Sequence, residues 1–410
     1  MRFLMGMLAA LSLARCGINE VTISVEGGDG NKVRLDLDAL QLKNNRLVDA
    51  GSTSFTEVKD GSYVVNVVAN NYMATETLVV ESAPMSGVKK YDLTFVIPPG
   101  ANQPFRPQGT ILFAATPTKI RDWNLYTIEA SGGEPTQLTH TREFEQQPAW
   151  SPDGTEIAYS LGEVMTNIDV YVMAADGTGA QRLTEHAERD GTPAWSPDGS
   201  KIAFVSQREG DVAVWIMDRD GGNKRKLVKG REPSWSPDGK RLAFTSGHFD
   251  GVDEIYIIDA DGSNRRRLTE SPRYFDWFAS WSPDGKRLAF NSERFGGQEL
   301  MVADVESGAQ VRITMAEHTF EQKPVWSPDG RGLAYQGKMN FREDGTLDVH
   351  FSSKTGKHRP EGTFDIFVVP AVGFDWDDIE DHSMLPVNLT NTPDYIERWP
   401  SWRPPTLSTE

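Results

Sequence analysis

The sequence predicts an all-β protein, a six-bladed β-propeller preceded by a small β-sandwich domain. Three observations carry the prediction. First, Trp-Ser-Pro-Asp-Gly starts at Trp150, Trp195, Trp235, Trp281 and Trp326, and a degenerate copy, Trp402-Arg-Pro-Pro, makes six; the spacings are 45, 40, 46, 45 and 76 residues. A period near 45 suits one four-stranded propeller blade. Second, the same strand and turn signals recur in the same order within each repeat. Third, residues 19–97 carry no such repeat, but they alternate apolar and polar residues between turn signals, as half-buried strands do.

Residues 1–16 read as an export signal. Arg2 precedes an apolar run at residues 3–14, too short to span a bilayer and suited to the apolar region of a signal peptide. Cys16, the sole cysteine, stands where the run ends. Leu13-Ala14-Arg15-Cys16 resembles a bacterial lipoprotein cleavage box, in which the Cys is acylated and becomes the mature N-terminus. Arg15 departs from that pattern, which has a small residue there. The alternative is a plain signal peptide or a buried thiol. Cleavage would remove Arg2 and Arg15 and move the net charge from −17 to −19. No later stretch is long and apolar enough to span a membrane, so lipid would be the only anchor. Gly17, rather than Asp, follows the Cys, which by resemblance to envelope-sorting rules favours the outer membrane over a site facing the periplasm from the inner one.

In residues 19–97, Val21-Thr-Ile-Ser-Val25, Val33-Arg-Leu-Asp-Leu37, Tyr63-Val-Val-Asn-Val-Val68, Thr77-Leu-Val-Val80 and Tyr91-Asp-Leu-Thr-Phe-Val96 read as strands. Five to seven strands in so short a span predict a small sandwich. The stretch from Asp60 to Tyr72 resembles the prealbumin-like modules of exported bacterial proteins. Residues 98–108 form a Pro-rich, extended linker.

Residues 109–402 hold the repeats. In each, a short strand ends in the Trp, usually with Pro two residues earlier. Ser-Pro-Asp-Gly is a tight turn, with Pro presetting φ and Gly closing it. A second strand follows, from Ile157-Ala-Tyr in the first repeat to Leu333-Ala-Tyr in the fifth, its small Ala allowing close approach of the next blade. A third strand carries an aromatic in most copies, and a fourth ends in Leu-Thr or a variant, as at Leu138-Thr and Leu268-Thr. Thr110-Ile-Leu-Phe-Ala114 lacks its own first strand, and the first strand ending at Trp402 lacks the other three. Together they complete one blade, which predicts that the C-terminal strand pairs with residues 109–139 and closes the ring. Residues 403–410 are a tail.

At these residues the chain resembles the TolB-type β-propellers, six-bladed proteins of the bacterial periplasm. The resemblance implies export and a protein partner; the family's namesake binds a peptidoglycan-associated lipoprotein. It carries an α/β N-terminal domain, whereas here that region reads as β, so this chain is TolB-like in its propeller only. No Gly-x-Ser-x-Gly elbow is present, so the hydrolase domain of some such chains is missing.

Composition narrows the function classes. A net charge of −17 repels polyanions, which argues against nucleic acid. A single cysteine excludes an internal disulfide and any Cys-based zinc site. Five residues before the Trp stand Glu145, Asp190, Gly230, Asp276, Glu321 and Glu397. First strands are innermost in propellers, so the five carboxylates are expected to ring one mouth of the channel. There they would bind Ca²⁺ or another divalent cation, or a basic partner. The bland reading is that they cap the crossings between blades. His140, His186 and His318 lie in inter-blade loops, with Gln146 and Gln322 nearby. Oligogalacturonate lyases, whose repeats are related, use His and Gln as metal ligands, and by that resemblance the histidines are an alternative metal site; otherwise they are exposed loop residues. The basic runs Asn223-Lys-Arg-Lys226 and Arg265-Arg-Arg267 fall on outer strands, where charge prevents sheet-to-sheet association. The long last repeat places insertions at residues 339–362 and 373–384.

The reading is a monomeric, non-enzymatic, cofactor-free envelope lipoprotein. Its propeller would be a platform for another envelope protein, and its lipid a tether to the membrane. The alternative is a metal-dependent carbohydrate-active enzyme.

Overall fold

The computed structural model describes residues 106–118, 122–162, 167–247, 252–271, 273–295, 297–314, 320–338, 364–371, 386–390, 392 and 395–405, together with strand backbones between residues 18 and 97. Contacts divide the chain into two units, Met1–Pro104 and Phe105–Glu410. In the first, Ser52–Thr56, Ile18–Gly27 and Val88–Ile97 form a three-stranded sheet, and Ile18–Gly27 pairs parallel with Val88–Ile97. A four-stranded sheet runs in the order Arg46–Val48, Val33–Asp38, Gly61–Ala69, Tyr72–Val80. Cys16 lies outside the described residues.

The second unit is a six-bladed propeller of four-stranded antiparallel sheets. Blades 1 to 5 begin with Glu145–Trp150, Asp190–Trp195, Arg231–Trp235, Asp276–Trp281 and Phe320–Trp326. Each of these first strands touches the first strand of the next blade, and the series returns from blade 6 to blade 1, so they line a common axis. Blade 6 is composite. Tyr395–Trp402 pairs antiparallel with Thr110–Pro117, which continues into Asn124–Glu129 and Thr136–Gln137. Trp402 faces Ile111 across that pair, and its indole N–H donates to the Gln108 carbonyl at 2.8 Å.

The Ser-Pro-Asp-Gly turn forms because each residue satisfies a backbone group. In blade 1 the Ser151 hydroxyl donates to Asp153 Oδ1 at 2.6 Å and accepts the Glu156 amide at 2.9 Å. Gly154 takes φ +68°, and its amide donates to the Ser151 carbonyl at 2.9 Å. Hydrogen bonds to the ionised form hold the Asp153 carboxyl down at about 2. A methyl group at Gly285 would stand 3.2 Å from Pro237 of the preceding blade's turn. At Gly154 the neighbour is Arg403, which replaces Ser in the degenerate copy and donates to the Gly154 carbonyl at 2.9 Å.

The core lies between blades. Ala158, Val170 and Val172 of blade 1 pack with Trp195, Ile202 and Phe204 of blade 2, and comparable clusters join blades 2 and 3, 3 and 4, 5 and 6, and 6 and 1. The second-strand alanines, such as Ala203 and Ala243, are fully buried, leaving room for the large residues of the adjoining blade. Cross-strand aromatic pairs, such as Tyr335 on Phe367 with centroids 5.5 Å apart, stiffen individual sheets.

Ending the chain before Tyr395 would remove the edge partner of Thr110–Pro117 and the apolar cover that Trp402 provides. The expected result is loss of the cooperative thermal transition and aggregation on size-exclusion chromatography. A soluble truncation melting with the full chain would refute the stabilising role of closure.

Candidate functional site

The five carboxylates do not ring a channel mouth. Glu145, Asp190, Asp276, Glu321 and Glu397 are all buried between blades. Glu145 accepts from Thr139, Glu321 from Thr314 and Glu397 from Thr390, in each case the Leu-Thr threonine of the preceding blade. The same threonine hydroxyls accept the amide of the second residue of their own third strands, as Thr139 does from Leu125 at 2.9 Å. The shorter aspartates are held differently. Asp190, 0% exposed, pairs with Arg208, 14% exposed, at 2.6 Å, and Arg208 lies over the Trp215 ring at 4.8 Å. Asp276 pairs with Arg294 and accepts from Ser271 at 3.0 Å. Thus the ring expected to hold a cation or a partner is a set of buried latches: the glutamates tie each blade to the threonine of the preceding one, and the aspartates are bound to an arginine of their own blade.

Two of the three histidines fall among the described residues. His140 is exposed; half-buried His186 accepts the Glu188 amide on Nδ1 at 3.0 Å; His318 lies outside the described residues. Among the described residues, no three His, Cys, Asp or Glu side chains stand together as metal ligands. Of the basic runs, Arg225 and Arg266 brace neighbouring blades by donating to the carbonyls of Ala260 and Val305. Residues 339–362 and 373–384 lie outside the described residues.

The channel belongs to another position. In every first strand the pairing register slips between four residues and one residue before the Trp. The residue three before the Trp is left-handed in all six blades: Gln147 (φ 53°), Thr192 (50°), Glu232 (57°), Phe278 (60°), Lys323 (54°) and Trp399 (57°). Plain alternation would give this residue the face of the buried carboxylates two positions earlier. The bulge re-aims it, and all six residues line one central cavity of about 170 Å³. In four seams a polar side chain of the preceding blade satisfies the displaced amide. Thr192 N–H donates to Gln147 and Ser160, Phe278 N–H to Glu232 at 3.0 Å, Lys323 N–H to Asn291 at 3.0 Å and Trp399 N–H to Gln336 at 2.7 Å.

The cavity has one acidic and one basic member, on blades 3 and 5, with Phe278 of blade 4 between them. Both keep some exposed surface because they border the channel, yet protein surrounds them on nearly every side. Burial pushes the Glu232 carboxyl up, although Lys323, the Thr245 hydroxyl and the Phe278 amide favour its charge. Burial pulls the Lys323 ammonium down to about 8, against the pull of Glu232. Lys323 Nζ lies 5.4 Å from the Phe278 ring centre. Trp399 packs on Trp123 at 5.2 Å, and Arg398 lies over Phe364 at 4.7 Å. The signal that would have found this ring is variability: three before the Trp the repeats carry Gln, Thr, Glu, Phe, Lys and Trp, whereas the next position is Pro in all but one.

A family model described as the TolB β-propeller domain matches residues 146–232 and 228–357, together just over half of the chain. Among solved structures, TolB from Acinetobacter baumannii is similar, with 20% identity, TM-score 0.59, and coverage of 85% of this chain and 81% of that one. Hydrazine synthase from Kuenenia stuttgartiensis is similar at 13% identity and TM-score 0.54, over 74% of this chain and 48% of that one. A putative TolB from Agrobacterium tumefaciens has 20% identity and TM-score 0.48, over 72% of this chain and 99% of that one. At these identities the first two likenesses show the fold alone. No curated protein matches the chain in sequence.

Two predictions follow from the latches. Asp190→Ala leaves Arg208 without its partner and should cost about 3–5 kcal/mol in denaturant unfolding, whereas Lys226→Ala, at an exposed pair with Glu209, should change stability by less than ~0.5 kcal/mol. Equal losses would contradict the latch assignment. Burial and the neighbouring Asp365 carboxyl push Glu397 from the ordinary 4.5 up to about 8. An acid whose value rises on folding contributes stability that is fully present below its unfolded value and lost as pH climbs to its folded one. The melting temperature should therefore fall between pH of about 5 and about 8, and Glu397→Gln should reduce that slope. An unchanged slope in the variant would reject the assignment.

Proposed function

The chain belongs to the TolB β-propeller domain family, and from that premise we propose that it is an exported, non-enzymatic binding platform of the bacterial envelope. One observation carries the reading. A frame repeated six times presents a different side chain from each blade at the same left-handed position around the channel. Framework positions are restricted by packing. The channel position is held just as rigidly, yet its chemistry differs in every copy. Rigid backbone with variable side chains is the arrangement of a recognition surface.

The partner we propose is another envelope protein. It would meet the end of the ring where the first strands begin. Trp277, Arg398 and half-buried Phe275 and Trp123 lie there, with Tyr274 exposed nearby. Aromatic and arginine side chains on a fixed scaffold are what protein interfaces use as anchors. We place the tether at Cys16, on the strength of the apolar run before it.

The purified chain should capture an envelope protein from an extract of its own cells. Capture should be lost with Trp277→Ala/Arg398→Ala and kept with Lys226→Ala/Arg265→Ala on the outer strands. Capture that survives the first pair and fails with the second would move the contact face to the blade edges and reject this reading. Cys16→Ser should release the protein from the membrane fraction; retention would reject the tether.

A further inference from the structure

The central cavity combines three features that the platform reading does not use. Glu232 and Lys323 face one central cavity, yet they make no ion pair with each other. Glu232 Oε2 accepts from the Thr245 hydroxyl at 2.9 Å and the Phe278 amide at 3.0 Å; the nearest guanidinium, Arg231 at 3.9 Å, is already bound to Asp253. Among the described residues Lys323 Nζ has no hydrogen-bond partner, and its only charged influence is Glu232. Phe278 of blade 4 stands between the two, Trp399 of blade 6 stands on the far side of Lys323, and Gln147 and Thr192 complete the ring, with Pro324 and Pro400 beside them.

Charge decides what such a cavity takes. A simple anion would meet Lys323 but share the space with the Glu232 carboxylate, and a simple cation would meet the reverse. Each gains one contact and suffers one repulsion in a site where protein, not water, screens the charges. A molecule with a negative and a positive pole is attracted at both ends. Size agrees: about 170 Å³ exceeds the roughly 150 Å³ of a protein cavity that holds benzene. An ammonium and a carboxylate largely surrounded by protein are costly without opposite charges close by, and such a ligand supplies both.

We propose that the central cavity binds a free α-amino acid, its carboxylate on Lys323, its ammonium on Glu232 and its side chain between Phe278 and Trp399. The proposal is independent of the platform reading. Partner capture at the strand-start face can fail while the amino acid binds, and the reverse.

The test is calorimetric titration of the full chain with glycine, L-serine, L-leucine and L-phenylalanine. N-acetyl-L-leucine, which keeps only the negative pole, and L-leucinamide, which keeps only the positive one, serve as single-charge probes. At least one amino acid should bind, one per chain, and both single-charge probes should bind roughly tenfold or more weakly than L-leucine. Lys323→Met and Glu232→Gln should each lower affinity by a similar factor, checked against their melting curves. No binding by any of the four amino acids at about 10 mM would overturn the proposal. Equal binding by either single-charge probe would do the same without relying on a variant. Unchanged affinity in both variants would also overturn it.

Discussion

Each blade of this propeller is a thin sheet with two apolar faces, and only its neighbours can cover them. The clusters joining blade 1 to 2, 2 to 3, 3 to 4 and 5 to 6 are useful only if the series comes back on itself, and the cluster joining blade 6 to blade 1 does that. Closure therefore governs everything else. The threonine–carboxylate latches fix the angle at which one blade hands the chain to the next. Where the acid is an aspartate it is held by an arginine of its own blade, and the preceding blade's threonine donates to a carboxylate of its own third strand, as Thr184 does to Asp169 and Thr269 to Glu254. The carboxylates and threonines of these latches are buried and their arginines partly so, which shields the bonds from water.

Within that frame the bulge separates two duties. Residues five before the Trp are committed to seams, and residues three before it are turned to the axis. A non-glycine residue in a left-handed conformation costs about 1–2 kcal/mol, so six in register imply that the surrounding sheet over-determines the backbone. Four receive a polar side chain from the preceding blade; the equivalents elsewhere are Val205 and Ala114, which offer none. The backbone at the axis is thus set by strand pairing and seams, while its side chains are left free to differ.

The frame was legible in the sequence because its signals are local. Ser-Pro-Asp-Gly satisfies its own turn, the Ala of each second strand states how near the next blade comes, and the strand count showed that two terminal fragments complete one blade. The axis was not legible. Alternation in an extended strand assigns Glu145 and Gln147 to one face, and only the bulge separates them. No Gly or Asn marks the left-handed position; Gln, Thr, Glu, Phe, Lys and Trp stand there. The carboxylates misled for a related reason, since regular spacing around a ring fits both a pore and a set of seams. One clue to the seams was present. Arg208 and Arg294 stand thirteen residues after their Trp in the two repeats that carry Asp rather than Glu.

Blade 6 has a temporal consequence. Its inner strand is the last part of the propeller to be made, and its partner, Thr110–Pro117, is the first. The indole of Trp402 reaches back to Gln108 across 294 residues of sequence. A nascent chain can assemble five blades and still display an open strand at one end and a bare apolar face at the other. Joining termini so distant is entropically slow. A product cut short or clipped within the propeller would carry both open surfaces, a permanent mark of incompleteness that proteases and chaperones can read. Closure thus certifies that the whole propeller has been made, and only then is a six-sided channel presented.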